Sequence, residues 1–331
     1  MTGATGFIGA NLLACEKFTG HELICLARPD SENIPVSPHN RVTVRKGPVS
    51  ASDLAGVDAV IFLAGRAHKM DDRAADPLAE NRAVNRDLAL FLAAAALEAG
   101  VPQFIYLSSV KAFGEAVPRG TIIDENSFSS PSGPYGISKR EAEEGLARLY
   151  AGRHGAHCVV LRIPMVYGPM NKGNMVSLLK SAARGRRLPL GAAKGKRSLL
   201  YVGNLCSAIA TVVAHPSAGG IDTYYLTDGV DMTSAELYEG ISTAFGQDNG
   251  AYYLPEWMLR IVGASGSLCE RFFFVNLPLT NGVVSRLFDE FRFSSEKFRR
   301  DYGWSPSFTP HEGIRRTVEW YRAIGGRKGN Q

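Results

Sequence analysis

Tyr135 and Lys139 form a candidate pair for proton exchange. They lie four residues apart in the segment PYGISK at 134–139, which opens a predicted helix, so they share one helical face. A phenol with a pKa of ~10 is a poor acid–base catalyst at neutral pH, but a nearby ammonium group stabilises the phenolate and lowers that pKa. A tyrosine and a lysine at this spacing also occur on ordinary helix surfaces, so the pair alone decides nothing.

Two serines supply a second candidate group. Ser108 and Ser109 follow the apolar run 104–107, which predicts a buried strand. The carboxyl ends of parallel strands border the ligand-binding crevice of an α/β sheet, so a serine hydroxyl there can reach a reacting oxygen. Paired serines after a strand are also ordinary turn residues.

The first nine residues, MTGATGFIG, predict a phosphate-binding turn. Gly3, Gly6 and Gly9 stand three residues apart at the start of an apolar helix, whose unpaired N–H groups form a seat for a dinucleotide pyrophosphate. Such a turn follows a central strand, yet only Met1 and Thr2 precede Gly3. We expect that the first strand is truncated, because a sheet without its middle strand would leave backbone groups unpaired.

The elements that would position these groups alternate between helix and strand. Helical periodicity covers 7–18, and an alanine-rich helix is predicted at 85–99. Short apolar runs predict strands at 23–27, 42–44, 59–64 and 104–107. This alternation, with short loops and no internal repeat, predicts an α/β fold with a Rossmann-type doubly wound parallel sheet.

Arg28 bears on the choice of cofactor, because it directly follows the strand at 23–27. A carboxylate at this place usually holds the ribose 2′-hydroxyl of NAD, whereas an arginine suits the 2′-phosphate of NADP. NADP(H) is therefore favoured and NAD stays possible, since Arg28 could also be an exposed loop residue near Asp30 and Glu32.

Composition argues against several classes of protein. The 331 residues are 45% hydrophobic, which is enough to bury a large core. The cysteines are odd in number and lack C-x-x-C spacing, so neither a disulfide framework nor a zinc site is indicated, and we expect a cytoplasmic setting. These cysteines are Cys15, Cys25, Cys158, Cys206 and Cys269.

Charge patterning argues against a membrane or a nucleic acid as partner. The apolar stretch 254–279 is interrupted by Arg260, Glu270 and Arg271, and no charged-then-apolar leader opens the chain. The net charge of +5 is concentrated at 184–197, as a site for an anionic ligand requires. No repeated aromatic and basic interleaving is present, so we expect no nucleic acid.

The second half of the chain has a different composition. Helical patterns are predicted at 175–183, 205–214, 234–245 and 310–324. They indicate a smaller C-terminal substrate-binding cap, while 223–227 predicts a strand that returns to the main sheet. We therefore predict an NAD(P)-binding domain at 1–165 and a substrate-binding region at 166–331, with about 199–228 returning to the sheet.

In this order, the motifs resemble those of one protein family. T-G-x-x-G-x-x-G at the N-terminus, Ser108-Ser109 after a strand, and Y-x-x-x-K 26 residues beyond Ser109 resemble the extended short-chain dehydrogenase/reductase family, in its NAD-dependent epimerase/dehydratase group acting on nucleotide sugars. The resemblance covers nearly the whole chain. It includes Asn85, the runs 161–169, 173–174 and 197–202, and the segment YGWSP at 302–306.

The resemblance implies a role for each matching residue. Ser109 would hydrogen-bond the reacting sugar oxygen, Tyr135 would exchange its proton, and Lys139 would hold the nicotinamide ribose, while hydride passes between nicotinamide and a sugar carbon, usually C4. Asn174 and Arg197 match positions that contact the nucleotide and diphosphate of the sugar donor, and Arg286 is a further candidate for the same anion. The residues implied in cofactor binding are Gly3, Thr5, Gly6, Phe7, Ile8, Gly9, Arg28, Leu63, Ala64, Gly65, Asn85, Tyr135, Lys139 and Pro164.

One departure from the family pattern narrows the reaction. Sugar 4,6-dehydratases of this family carry Asp-Glu directly after the serine position, whereas this chain has Val110-Lys111. Dehydration is therefore disfavoured, which leaves reduction of a UDP-linked 4-keto sugar for surface polysaccharides, or 4-epimerisation with tightly bound NAD. Arg28 favours the reductase. A catalytically silent cofactor-binding protein is a third alternative, and a homodimer is expected by analogy.

Overall fold

The structure is a computed structural model, and it describes residues 1–31, 36–66, 74–114, 120–216, 219–248, 250–261, 263–264 and 281–328. Its main strands are β1 (Glu22–Ala27), β2 (Arg41–Lys46), β3 (Ala59–Phe62), β4 (Gln103–Ser109), β6 (His157–Ile163) and β9 (Gly220–Tyr225). They differ by at most two residues at each end from the four strands predicted in the first half.

All pairings among these strands are parallel. β1 pairs with β2, while β3, β4, β6 and β9 pair side by side in that order. The backbone of Met1 and Thr2 bridges the two groups, because Leu26 N–H donates to the Met1 carbonyl at 2.8 Å and Thr2 N–H donates to the Ile61 carbonyl at 3.0 Å. The strand order is therefore β2, β1, residues 1–2, β3, β4, β6 and β9.

Met1 and Thr2 occupy the centre of the sheet. Only Met1 and Thr2 lie between β1 and β3, and the Met1 amino group donates to the Ile24 carbonyl at 2.6 Å. Beside Met1, a cleft of about 250 Å³ opens between the amino-terminal halves of the two strands, lined by Leu23 and Ala59 among others.

Helices cover both faces of the sheet. On one face, α1 (Phe7–Leu13) packs against α6 (Val202–Ala214), and Leu12, Leu205 and Ile209 belong to one apolar core. On the other face, α3 (Leu88–Glu98) and α4 (Gly133–Tyr150) enclose a second core, and α2 (Pro77–Arg82) packs against α4. The predicted Rossmann-type doubly wound parallel sheet is confirmed.

Two predicted helices are wrong at one end. The helix predicted at 7–18 ends at Leu13, and a separate 3₁₀ turn covers Glu16–Phe18. The helix predicted at 85–99 begins earlier, because the Asp76 carboxylate caps it by accepting from Ala79 N–H at 3.0 Å and Pro77 occupies its first position. A π-helical turn at Ala83–Asp87 joins α2 to α3.

The remaining elements form smaller units. The short strands β7 (Met165–Tyr167), β8 (Arg197–Tyr201) and β10 (Asp231–Met232) make one small sheet, and β5 (Ile122–Ile123) pairs with β11 (Arg292–Phe293). The further helices are α5 (Asn174–Ala183), α7 (Ser234–Ala244), α8 (Asn281–Phe288), α9 (Glu296–Tyr302) and α10 (Pro310–Lys328). The domain boundary at 165 stays a prediction.

Asp228 joins several of these elements. Its buried carboxylate accepts hydrogen bonds from Tyr201 N–H at 2.9 Å, from Asn204 Nδ2 at 2.8 Å and from the Tyr167 hydroxyl at 3.0 Å. The Asp228 carboxylate therefore connects two of the runs quoted from the sequence, 161–169 and 197–202. Burial raises the pKa of Asp228, and its hydrogen-bond donors oppose that shift.

The described ranges lack both a membrane-spanning helix and a metal-binding cluster. No helix within them is both long enough and apolar enough to cross a bilayer. The same ranges hold no cluster of three His, Cys, Asp or Glu side chains able to hold a metal ion. Cys15, Cys25, Cys158 and Cys206 are free thiols.

Candidate active site

The glycine turn brings the start of α1 against the ends of the central strands. Gly3 has a left-handed φ of +70°, and a Cβ there would lie 2.9 Å from the Ala64 nitrogen. A Cβ on Gly9 would lie within 2.3 Å of the Gly3 carbonyl oxygen, so α1 can pack this closely only with glycine at both positions. The Thr2 hydroxyl accepts from the N–H groups of Leu63 and Ala64 at 3.1 and 3.0 Å.

The other predicted cofactor-binding residues lie around this turn. Thr5 and Gly6 are exposed at the turn itself, and Phe7 and Ile8 are half-buried at the start of α1. Pro164 is buried directly after β6. These positions are at the carboxyl ends of the parallel strands, where α/β sheets bind ligands.

Arg28 lies just beyond the end of β1. Its side chain is 83% exposed, and its Nε lies 3.6 Å from Asp30 Oδ1. The guanidinium group is therefore at the same edge of the sheet as the glycine turn, and an exposed ion pair of this kind holds it only weakly.

Tyr135, Lys139 and Ser109 converge where α4 crosses the end of β4. The Tyr135 and Ser109 side chains share a hydrogen bond. The Lys139 Nζ donates to the Leu107 carbonyl at 2.8 Å and lies 4.7 Å from the centroid of the Tyr106 ring. The three candidate catalytic residues predicted from the sequence are thus neighbours.

The ionisation of these groups is dominated by burial. Burial raises the pKa of Tyr135, and the hydrogen bond from Ser109 opposes that shift. Burial lowers the pKa of Lys139 to about 7, opposed by the negative charge of Glu143. The sequence predicts a lowered pKa for Tyr135 when both the Lys139 ammonium group and an oxidised nicotinamide lie beside it. In the protein alone, desolvation of the phenolate outweighs the hydrogen bond from Ser109, so the lowered pKa stays a prediction for the cofactor-bound site.

Asn85 organises the loop that follows β3. Its side chain is fully buried in the π-helical turn, its Oδ1 accepts from Arg66 N–H at 2.9 Å, and its Nδ2 donates to Ser138 Oγ at 3.1 Å. A Cβ on Gly65 would lie 3.3 Å from Asn85 Oδ1 and 3.8 Å from Lys139 Nζ. Gly65 therefore keeps space open beside Lys139, as a nicotinamide ribose there would require.

The predicted substrate-binding residues lie in different places. Arg197 Cζ and Lys111 Nζ each lie 5.6 Å from the centroid of the Phe291 ring, and Lys111 N–H donates to Ser109 Oγ at 3.2 Å. Arg197 is thereby connected to the candidate catalytic residues through Phe291. Asn174 is exposed at the first position of α5, and the side chain of Arg286 on α8 lies outside the described residues.

Sequence reasoning missed Glu143 and Arg162 as site residues and named Ser108 only as part of the serine pair, although all three are buried in this region. Ser108 Oγ donates to Glu143 Oε1 at 2.6 Å, and Arg162 Nη2 donates to Glu143 Oε2 at 2.6 Å. One signal was available, because Glu143 follows Lys139 by four residues and so continues the helical face that carries Tyr135.

The chain is similar to a known protein family and to several of its members. A family model described as "NAD dependent epimerase/dehydratase family" matches residues 1–226. The UDP-glucose 4-epimerase of Vibrio cholerae is 29% identical over an alignment of 333 positions, which covers 99% of this chain and 96% of that protein. The N-acetyl-alpha-D-glucosaminyl-diphospho-ditrans,octacis-undecaprenol 4-epimerase of Escherichia coli O157:H7 is 26% identical over 97% of this chain and 94% of its own.

Solved structures share the fold. MoeE5 in complex with UDP-glucuronic acid and NAD superposes with a TM-score of 0.71 over 98% of both chains, at 18% identity. That identity is low enough that the similarity shows the fold alone. Because the family model matches more than half of the length of this chain, the chain belongs to the NAD dependent epimerase/dehydratase family.

Proposed function

We propose that this chain is a UDP-sugar 4-epimerase that works with a bound nicotinamide cofactor. The observation that carries the proposal is the convergence of Tyr135, Ser109 and Lys139 at the end of β4. Support also comes from the two relatives reported above, which are both 4-epimerases of diphosphate-linked sugars. MoeE5, which shares the fold, holds UDP-glucuronic acid and NAD in its complex, and we propose the same two classes of ligand for this chain.

The residues that would hold the cofactor fit that group. The turn at Gly3, Gly6 and Gly9 would receive the pyrophosphate, and the loop at 63–65 with Lys139 would receive the nicotinamide ribose. When bound, the cofactor would supply reversible hydride transfer at C4 of the sugar.

The protein would supply orientation and a proton path. Ser109 would hydrogen-bond the C4 oxygen, and Tyr135 would take the proton from that oxygen and return it. The Lys139 ammonium group would favour the phenolate of Tyr135 in the bound state. Arg197 would face the diphosphate, since a guanidinium group can donate two parallel hydrogen bonds to phosphate oxygens.

Dehydration is not proposed, because the residues after Ser109 cannot supply the additional acid and base. Val110 has no ionisable group, and the Lys111 ammonium group lies against the Phe291 ring. With the same three residues and no elimination, the sugar would be oxidised at C4 and then reduced on either face.

The test is turnover with defined sugars. Purified protein is incubated with UDP-glucose, with UDP-N-acetylglucosamine and with a polyprenyl-diphosphate-linked N-acetylhexosamine, the last because of the Escherichia coli relative. We expect the C4 epimer of a UDP-sugar to form with no net change in absorbance at 340 nm. Absence of an epimer from every substrate would overturn the proposal.

A second candidate is a 4-ketoreductase that uses NADP(H), and Arg28 favours it. The exposed guanidinium group at the end of β1 is suited to a ribose 2′-phosphate. This activity would consume NADPH stoichiometrically when a UDP-linked 4-keto-6-deoxy sugar is supplied. Binding of a cofactor without turnover of any of these sugars would instead favour the catalytically silent alternative.

A further inference from the structure

A buried ion pair lies directly behind the candidate catalytic residues. We propose that Glu143, held in place by Ser108 and Arg162, is a positioning residue that keeps Lys139 protonated and fixes α4 against β4. The inference rests on the proposed function, because the protonation of Lys139 matters only if Lys139 assists Tyr135.

One face of α4 contacts three consecutive residues of β4. Tyr135, Lys139 and Glu143 follow one another at intervals of four residues on the buried face of α4. Tyr135 pairs with the Ser109 side chain, Lys139 donates to the Leu107 carbonyl at 2.8 Å, and Glu143 accepts from Ser108 Oγ at 2.6 Å. Three consecutive residues of β4 are therefore each bound by this face, and Glu143 anchors its inner end.

Glu143 is itself fixed from the next strand. Its two oxygens accept from Arg162 Nε at 3.0 Å and from Arg162 Nη2 at 2.6 Å, which is a bidentate arrangement. Arg162 Nη1 donates to the Tyr225 hydroxyl at 2.8 Å, so the pair is braced by β9 as well. Glu143 and Arg162 are each only 6% exposed.

Burial of the Glu143–Arg162 ion pair carries a high desolvation cost. Two apolar side chains of similar size would avoid the desolvation cost of two buried charges. What an apolar pair cannot supply is a negative charge one helical turn from Lys139, which is itself 4% exposed. The position of the carboxylate therefore points to an electrostatic role.

Several ionisable groups surround Lys139, and their effects differ. Tyr135 and Glu143 face it from α4, Tyr106 from β4, and Arg162 with Tyr225 stands behind Glu143 on β6 and β9. Arg140 Nη1 lies 3.9 Å from Glu143 Oε2 on the outer side. Burial lowers the pKa of Lys139 to about 7, and Glu143 is the charge that opposes this shift.

The first experiment measures the pH profile of kcat and kcat/KM for wild type and for Glu143→Gln. Lys139 loses the charge that favours its proton, so we expect the alkaline limb to move roughly one pH unit or more towards lower pH. Glu144→Gln is the matched control, because this neighbouring carboxylate pairs with Arg140 at 2.9 Å on the solvent side. Its profile should coincide with that of wild type.

Glu143→Gln leaves the Arg162 guanidinium group buried without a carboxylate, which could destabilise the fold. A second variant avoids this uncompensated charge. In Glu143→Leu combined with Arg162→Met both charges are replaced by apolar groups, and the alkaline limb should still move to lower pH. Ser108→Ala keeps the charge and removes one hydrogen bond, so it should lower kcat with the limb unmoved. The inference would be overturned if both Glu143 variants had only a lower melting temperature and kept the alkaline limb of the pH profile at its wild-type position.

A readout without turnover separates this inference from the proposed function. The free energy of unfolding of each protein is compared with that of its Lys139→Met derivative across pH, which reports the titration of Lys139 in the folded state. We expect that titration to lie at lower pH in the background lacking Glu143 and Arg162. An unchanged titration would overturn the positioning role, whereas an inactive wild type with a shifted titration would overturn only the 4-epimerase.

Discussion

The side chains of Tyr135 and Ser109 are joined by a hydrogen bond, although the two residues come from different elements. Tyr135 lies in the first turn of α4 and Ser109 ends β4. A hydroxyl pair at this edge of the sheet can share one substrate oxygen, with one group holding it and the other exchanging its proton.

Tyr135→Phe should abolish turnover while the cofactor still binds. Removing the proton carrier should lower kcat by at least ~10²-fold. Steady-state kinetics give kcat, and titration of cofactor fluorescence gives its affinity. Tyr150→Phe is the matched control on the same helix, because the buried Tyr150 hydroxyl has no hydrogen-bond partner among the residues that the structure describes. Activity surviving in Tyr135→Phe would show that another group carries the proton.

Lys139→Met should change how stability depends on pH. Burial lowers the pKa of Lys139 from 10.5 to about 7, so between these values the unfolded chain binds a proton that the folded protein does not. Wild type should therefore gain stability relative to the variant as pH rises from 7 to 10.5, by up to about 1.4 kcal/mol per pH unit. Urea unfolding at several pH values measures this difference. If the free energy of unfolding depended on pH in the same way in wild type and variant, the lowered pKa of Lys139 would be contradicted.

Arg28→Ala should weaken NADPH binding roughly tenfold or more and leave NADH binding nearly unchanged, since only NADPH carries the 2′-phosphate. Isothermal titration with both cofactors measures the two affinities. Arg41→Ala is the control, because Arg41 is 82% exposed and lies at the opposite end of the β1–β2 pair. Equal losses for both cofactors would remove the argument for NADP(H).

Cys15 should be alkylated first among the four described cysteines. A hydrogen bond from Cys206 lowers the pKa of the half-buried Cys15 thiol to about 7, whereas burial raises the pKa of Cys25 and Cys158. Peptide mass spectrometry after brief iodoacetamide treatment should show Cys15 modified at neutral pH. Cys206→Ala removes the donor and should slow that reaction, and an unchanged rate would mean that Cys206 does not activate Cys15.

Local sequence patterns predicted much of the fold. Continuous apolar runs located the buried parallel strands, and the four-residue spacing of Tyr135 and Lys139 placed both on one face of α4. The start of α2 had a usable signal in Asp76-Pro77, a capping residue followed by proline, which the alanine-rich run beyond it obscured.

Long-range polar pairing could not be predicted in the same way. Glu143 and Arg162 are 19 residues apart, and Asp228 binds Tyr167 from 61 residues away. Each pairing depends on how strands and helices stack, which no local period encodes. The π-helical turn that carries Asn85 is likewise set by packing, because its sequence AVNRD differs little from ordinary helix.

The exposure of β2 has a consequence for local opening. β2 pairs with β1 and most of its residues are half-buried or exposed, whereas β4 is buried along its whole length and pairs with both β3 and β6, so β2 can open at a lower free energy than β4. Amide hydrogens of β2 should therefore exchange with deuterium before those of β4. The edge of the sheet next to Arg28 would then open separately from the strand that ends at Ser109.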